Sequence, residues 1–307
     1  MKEILLARPS RVTKEAVDLI NASYSGQTRV IYARELTNLY VWLNGRELTD
    51  ETLSGYIASL HNKGLSPTTC SMVVSAVNSV NKLMGSPSPV GPKTKRTLMG
   101  VRREGRGRGR GQMDGLRWED LEVILKVADM KEGLIHKRNT ALLSVMSDAM
   151  LRVSEVVALR VNDVISSENE TGLLRIRRSK TDQEGVGTLQ FLGPDTFQRV
   201  RRYCIGAGIC DGVLFRQLSR GGQVRDAGLT TRTVQLIVTR LAKEAGIAGR
   251  FSSHSPRIGS AQSLVERGAT LPQVQQAGRW KNKDMVAHYV KGQTAAKGAI
   301  ARYKYGF

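Results

Sequence analysis

The stretch from Gly85 to Gly115 decides how many cores this chain can build. Pro87, Pro89 and Pro92 open it, and Arg106-Gly-Arg108-Gly-Arg110-Gly closes it. Prolines remove backbone donors and alternating Arg/Gly presents no apolar face, so a single core cannot run through this region. The expected organisation is a helical domain over 1–104, an extended, mobile Arg/Gly linker over 105–115 and a second domain over 116–307. At 307 residues, two cores also suit the length at which chains usually divide. Residues 92–111 carry eight Lys or Arg side chains against the single Glu104. Those eight, Lys93, Lys95, Arg96, Arg102, Arg103, Arg106, Arg108 and Arg110, are the candidate phosphate contacts, since plain spacers favour Ser and Glu over arginine.

Before this stretch the pattern is helical. Ser10 caps an expected helix to about Tyr24, and a second, about Gln27 to Leu43, places Val30, Ala33, Leu36, Tyr40 and Leu43 on one stripe. Thr49 caps a third with Leu53, Tyr56, Ile57 and Leu60 at helical spacing, ending at Gly64. Ser66-Pro67 starts a fourth that buries Met72, Val73, Ala76, Val77, Val80 and Met84 and ends at Gly85. Thr94 to Glu104 forms a short basic helix. The second domain reads as Trp118–Met130, His136–Met150 and Ser154–Leu159, then one small antiparallel sheet from about Leu173 to Leu192 around a polar Thr181–Gly185 turn. Helices resume over Pro194–Ala207, Thr230–Ala245, Pro256–Arg267, Leu271–Ala277, Asp284–Tyr289 and Ala295–Tyr303. The fold class is mainly α, a helical bundle followed by a mostly helical domain with a small sheet.

Lys and Arg outnumber Asp and Glu by 47 to 27, a formal charge of +20. Such a surplus repels itself unless a polyanion neutralises it. The expectation is a soluble, cytoplasmic protein on nucleic acid, with no membrane partner, because no run of 18 apolar residues and no signal-like N-terminus is present. Cys70, Cys204 and Cys210 form an odd set without CxxC, and only four histidines accompany them. No disulfide framework, no metal and no cofactor is expected. GxxxxGK[ST], GxGxxG after a strand, HExxH and GxSxG are all missing, which removes nucleotide hydrolysis and the commonest hydrolase designs. Aromatics are only 5% of the chain and sparse in the basic segments, so an RNA-binding reading lacks its stacking platforms.

Chemistry-bearing residues are scattered through the second domain: Arg152-x-x-Glu155, Lys180 at a hairpin, His254-x-x-Arg257, Gly278-x-Trp280, and Tyr289 nine residues beyond the tryptophan. Each alone has an ordinary explanation. Arg152 pairs naturally with Glu155 one turn on, Lys180 is a surface charge, His254 caps a helix, Trp280 is a core aromatic and Tyr289 a half-buried one on a short helix. Their order and spacing together resemble the tyrosine recombinases, or phage-type integrases, and within them the Cre-like branch. The resemblance spans nearly the whole chain, including the N-terminal bundle and the basic helix.

The resemblance implies a DNA recombinase that cleaves and rejoins strands through a 3′-phosphotyrosyl intermediate and a Holliday junction, without metal or ATP. Arg152 and Arg257 would grip the non-bridging oxygens of the scissile phosphate, a role suited to the planar, permanently charged guanidinium. His254, at i, i+3 from Arg257, would position or deprotonate the nucleophile, with Ser255 as the helix cap. Trp280 would close the phosphate pocket where most relatives carry histidine, Tyr289 would attack, and Lys180 would protonate the departing 5′-oxygen, with Arg178 as a rival. Glu155 is assigned to orienting Arg152. Tyr303 and Tyr305 stand at the wrong spacing to be the nucleophile. As partners the resemblance implies double-stranded DNA with inverted-repeat half-sites, clamped between the two domains, and a homotetramer in which residues 295–307 dock on a neighbour. The alternative is a catalytically silent DNA-binding relative, which should have lost at least one of Arg152, Lys180, Arg257 or Tyr289.

Overall fold

The computed structural model of the chain describes residues 14–109, 111–177, 187–219, 221–282, 284–287 and 289. They form two compact units that divide between Gly111 and Gln112.

The first unit comprises α1 (Lys14–Ala22), α2 (Gly26–Leu43), α3 (Asp50–Asn62), α4 (Pro67–Met84) and α5 (Pro92–Glu104). Capping chemistry sets their starts. Ser25, Thr49 and Ser66 each accept an N–H from the first turn, and Pro67 follows in α4 where its missing donor costs nothing. Leu39, Leu43, Leu53, Tyr56, Ile57, Leu60, Cys70, Val73, Val77, Leu98 and Val101 build the core. The stripe expected on α2 is corrected: Val30 and Tyr40 are exposed, and Leu39 with Leu43 faces inward. Apolar residues lie on more than one face of α2, so period alone left its rotation open, and the surfaces of α3 and α4 choose it.

The basic helix α5 is anchored by Asp50, whose carboxylate accepts the backbone N–H groups of Gly91, Lys93 and Thr94. Burial pushes that carboxyl up, but the hydrogen bonds from Thr94, Lys93 and Gly91 outweigh it and hold it at about 2. Thr94, Leu98 and Val101 face the core, leaving Lys95, Arg96, Arg102 and Arg103 exposed on the other side. The Arg/Gly run that follows differs from the extended expectation. Gly107, Gly109 and Gly111 take φ of 80°, 106° and 66°, the backbone turns over 105–107 and bends at Gly109, and Arg108 donates to the His61 carbonyl at 2.7 Å.

The second unit is organised around α7 (Leu134–Asp148), buried on all sides from Arg138 to Ser147. Around it lie α6 (Trp118–Asp129), α9 (Pro194–Ala207) and α11 (Ser255–Glu266), while α10 (Thr231–Glu244) packs on α6 and α12 (Leu271–Gly278) on α11. The short α8 (Val153–Ala158) follows α7. One sheet was expected here, and the described residues form two. The first joins β1 (Val164–Ser166), β2 (Gly172–Ile176) and β3 (Thr188–Leu192) as antiparallel neighbours, with Leu174 opposite Val164 and Gln190. The second pairs β4 (Arg216–Leu218) with β5 (Val224–Gly228). Strand β5 reads Val-Arg-Asp-Ala-Gly, too polar to carry an alternation signal, and its pairing is decided by the core beneath it.

Polar contacts hold the entry to this unit across α11. Asp114 exchanges hydrogen bonds with Arg250, Leu116 N–H donates to the Ser255 carbonyl, and Trp118 N–H donates to Ser263 Oγ. Gly259 permits this approach, because a Cβ there would sit 1.7 Å from the Leu116 carbonyl oxygen.

Candidate active site

Among the described residues the site draws on the turn from α7 into α8, the start of α11, the C-terminal end of α12 and Tyr289 beyond it. Arg152 is the N-cap of α8, and the Glu155 side chain accepts the Arg152 backbone N–H at 2.9 Å. The same carboxylate takes the Arg152 guanidinium at 2.8 Å. The buried Glu155 carboxylate thus contacts both the backbone and the guanidinium of Arg152.

At α11 the expected cap is corrected. His254, not Ser255, holds the N-cap position, and its imidazole makes no capping bond. Ser252 and Ser255 do that work instead: Ser252 Oγ accepts the His254 N–H, and Ser255 Oγ accepts the Ser252 N–H. The ring is thereby released, and its Nε2 lies 3.1 Å from the Tyr289 hydroxyl. Arg257, one turn on, is fully buried and donates to the carbonyls of Met150 and Gly278. Trp280 covers it, with the guanidinium carbon 4.2 Å from the indole centroid, and the indole in turn lies 5.8 Å from the Tyr289 ring. Gln262 of α11 donates to the Tyr289 carbonyl at 3.2 Å and ties that backbone in place.

Sequence reasoning missed Arg279. Its guanidinium bonds Glu155 Oε2 at 2.7 Å and the Ala149 carbonyl at 2.9 Å. The Gly278-Arg-Trp280 triplet was in view, but nothing in a one-dimensional pattern shows an arginine turning inward. It does so by adopting φ 53° and ψ 46° at the end of α12.

Among the described residues, the site therefore sets three guanidiniums, of Arg152, Arg257 and Arg279, against the Glu155 carboxylate. Residues 115–295 match the model of the phage integrase family. The chain belongs to that family. The chain is 25% identical to recombinase Cre of Escherichia phage P1 over 269 residues, 82% of this chain and 78% of that one. An integrase/recombinase XerD homologue of Selenomonas ruminantium is 24% identical over 310 aligned positions, covering 95% and 89%. Among solved structures, the XerH site-specific recombinase in its post-cleavage complex with palindromic difH substrate superposes with a TM-score of 0.69. It shares 18% identity, covering 88% of this chain and 78% of that one.

Charge crowding shapes the integrase site. Burial, with Arg152 and Arg279 adding to it, pushes Arg257 down to about 9, so it stays protonated at neutral pH. Burial, with Arg257 and then Arg152 adding to it, pushes His254 down to about 4 and leaves a neutral imidazole. Burial raises Tyr289, while Arg257 and Arg152 pull it back. The Nε atoms of Arg257 and Arg279 are buried without a hydrogen-bond partner among the described residues.

Of the sequence-expected residues, Arg152, Glu155, His254, Arg257, Trp280 and Tyr289 converge here. Lys180, Arg178, Arg110 and the 295–307 segment lie outside the described residues. The other basic candidates belong to the first unit. Lys95, Arg96, Arg102, Arg103 and Arg106 are exposed, Lys93 pairs with Glu51, and Arg108 bonds His61. A cavity of about 710 Å³ lined by Leu125, Ser144, Asp148 and Arg199 contains none of the site residues. No group of three or more His, Cys, Asp or Glu residues that could hold a metal occurs among the described residues, and no described helix is long and apolar enough to cross a membrane.

Proposed function

We propose that this integrase is a site-specific DNA recombinase in which Tyr289 attacks the scissile phosphate. The observation that carries the reading is the Tyr289 hydroxyl 3.1 Å from a neutral His254, beside Arg257 and Arg152. His254 Nε2 takes the phenolic proton as the tyrosyl oxygen bonds to phosphorus and the bond to the 5′-oxygen breaks. Arg152 and Arg257 neutralise the charge that builds on the non-bridging oxygens, a stabilisation already organised before reaction. Trp280 shields Arg257 from water and keeps its field strong. The departing 5′-oxygen needs a proton, which we assign to Lys180.

The product is a 3′-phosphotyrosine, and a 5′-hydroxyl from a partner strand reverses the step to rejoin DNA. Bond energy is retained throughout, so neither ATP nor a metal enters the balance. Double-stranded DNA with inverted half-sites, a homotetramer exchanging strands through a Holliday junction, a tail beyond Tyr289 docking on the neighbour, and a cytoplasmic location complete the proposal. Support for DNA as partner comes from the charge of +20 and from the basic face of α5.

The test uses a nicked duplex carrying a binding site recovered from random-sequence DNA by selection with the wild-type protein. Wild type forms an SDS-resistant protein–DNA adduct in EDTA without ATP. Tyr289→Phe binds the same duplex and forms none. An adduct that survives the substitution overturns the assignment of the nucleophile, and its complete absence from wild type favours the silent DNA-binding reading.

A further inference from the structure

Arg279 is an arginine where the backbone asks for glycine. Its φ of 53° lies in the left-handed region that L side chains rarely adopt, and the side chain is nonetheless only 8% exposed. The residue before it must be glycine for a separate reason: a Cβ on Gly278 would fall 1.8 Å from the Trp280 ring, which folds back over it. The Gly-Arg-Trp turn thus sends the indole one way, onto Arg257, and the guanidinium the other, toward α8.

What that guanidinium reaches is informative. It bonds Glu155 Oε2, while Arg152 bonds Oε1 of the same carboxylate. It donates to the carbonyls of Ala149 and Met150, and Met150 is a second left-handed residue, φ 46°, whose carbonyl also receives Arg257. Its own carbonyl accepts Arg152 Nη2 at 3.3 Å. Both acceptors that restrain the Arg152 guanidinium are therefore set by Arg279, one through its side chain and one through its backbone. With those two bonds made, the other N–H groups of Arg152 have no partner among the described residues, and a phosphate is the natural acceptor.

We propose that Arg279 is a positioning residue for DNA cleavage: it locks Glu155 and the Ala149–Met150 turn so that Arg152 presents its unpaired N–H groups to the scissile phosphate. This rests on the reading of Arg152 as a phosphate ligand. Arg279 itself touches no substrate. Because its effect passes through Arg152, removing it matters only while Arg152 is present.

The experiment measures single-turnover adduct formation on the selected nicked duplex for wild type, Arg279→Gly, Arg279→Lys, Arg152→Ala and the double variants, with duplex affinity and melting temperature alongside. Glycine suits the left-handed backbone, so Arg279→Gly removes the guanidinium without adding strain. The expected result is a loss of about 10²-fold in cleavage rate, the scale of a misplaced catalytic contact, with affinity within about threefold of wild type. In the Arg152→Ala background the same change costs less than about threefold. Arg279→Lys, which keeps the charge and reaches one acceptor at a time, recovers part of the rate and guards against a glycine variant that folds poorly.

Cleavage within about threefold of wild type for Arg279→Gly overturns the proposal. So does a full loss repeated in the Arg152→Ala background, which marks general loosening of the fold. If wild type forms no adduct, the recombinase reading fails first and the positioning role falls with it.

Discussion

His254 stands between burial and two guanidiniums, and each disfavours the imidazolium. Its displacement to about 4 has two consequences that can be measured separately. Under the proposed mechanism, the imidazole stays able to accept the Tyr289 proton throughout the neutral range, so cleavage should not fall near pH 6.5 as it would for an ordinary histidine. In stability, the sign follows from proton counts. Between about pH 6.5 and 4 the unfolded chain binds a proton at this position and the folded chain does not, so folding is progressively penalised as pH drops through that window. At about 1.4 kcal/mol per pH unit of displacement, the penalty approaches about 3 kcal/mol by pH 4. Urea unfolding of the DNA-free protein should show the stability of wild type relative to His254→Gln declining by that order between pH 7 and pH 4. A constant difference across the window would place His254 in a far more solvated setting.

Helix α11 carries most of the architecture of the site. It contributes His254 and Arg257, holds the Tyr289 backbone through Gln262, and receives the 114–118 segment along its Gly259, Ser260 and Ser263 face. A glycine inside a helix weakens it, and here the return is a backbone approach that no other residue allows. Gly259→Ala would drive a methyl into the Leu116 carbonyl, a backbone atom that cannot rotate away. The expected outcome is a loss of about 1–3 kcal/mol or more in urea unfolding of the purified protein, typical of overpacking, with Trp118 fluorescence shifted as its Nε1 contact to Ser260 is disturbed. An alanine variant as stable as wild type would mean that the segment is free to move outward. The helices themselves were legible in the sequence because caps, prolines and periodic apolar residues mark their ends locally. The rotation of α2 and the polar strand pair β4–β5 were not, since neither is encoded in local pattern and both depend on what packs beside them.

Across the whole molecule, charge is the quantity that couples to a partner. Exposed Arg96, Arg102 and Arg103 on α5 have no ion-pair partner among the described residues, whereas Arg108 is already bonded to His61. Each phosphate neutralised adds about 0.9 to the slope of log affinity against log salt, so changing Arg96, Arg102 and Arg103 together to alanine should flatten that slope by up to about three. Arg108→Ala should change it by less than one contact's worth, because its guanidinium would first have to leave His61. Filter-binding titrations between 50 and 200 mM salt distinguish the two, and equal effects would show that the bond to His61 yields freely to DNA.

Residue order along the chain was sufficient to name the family, and the resemblance it carries singled out Arg152, Glu155, His254, Arg257, Trp280 and Tyr289, which the fold brings together. Tertiary structure alone decided how they are held. Segments more than a hundred residues apart, the Ala149–Glu155 region and the Gly278–Trp280 turn, meet through an arginine whose inward course depends on a left-handed backbone. The release of the His254 ring from capping duty, and the sharing of one carboxylate between two guanidiniums, arise likewise from packing. Such features are set by long-range contacts and by backbone conformations that no local pattern encodes, and they become visible only when the chain is folded.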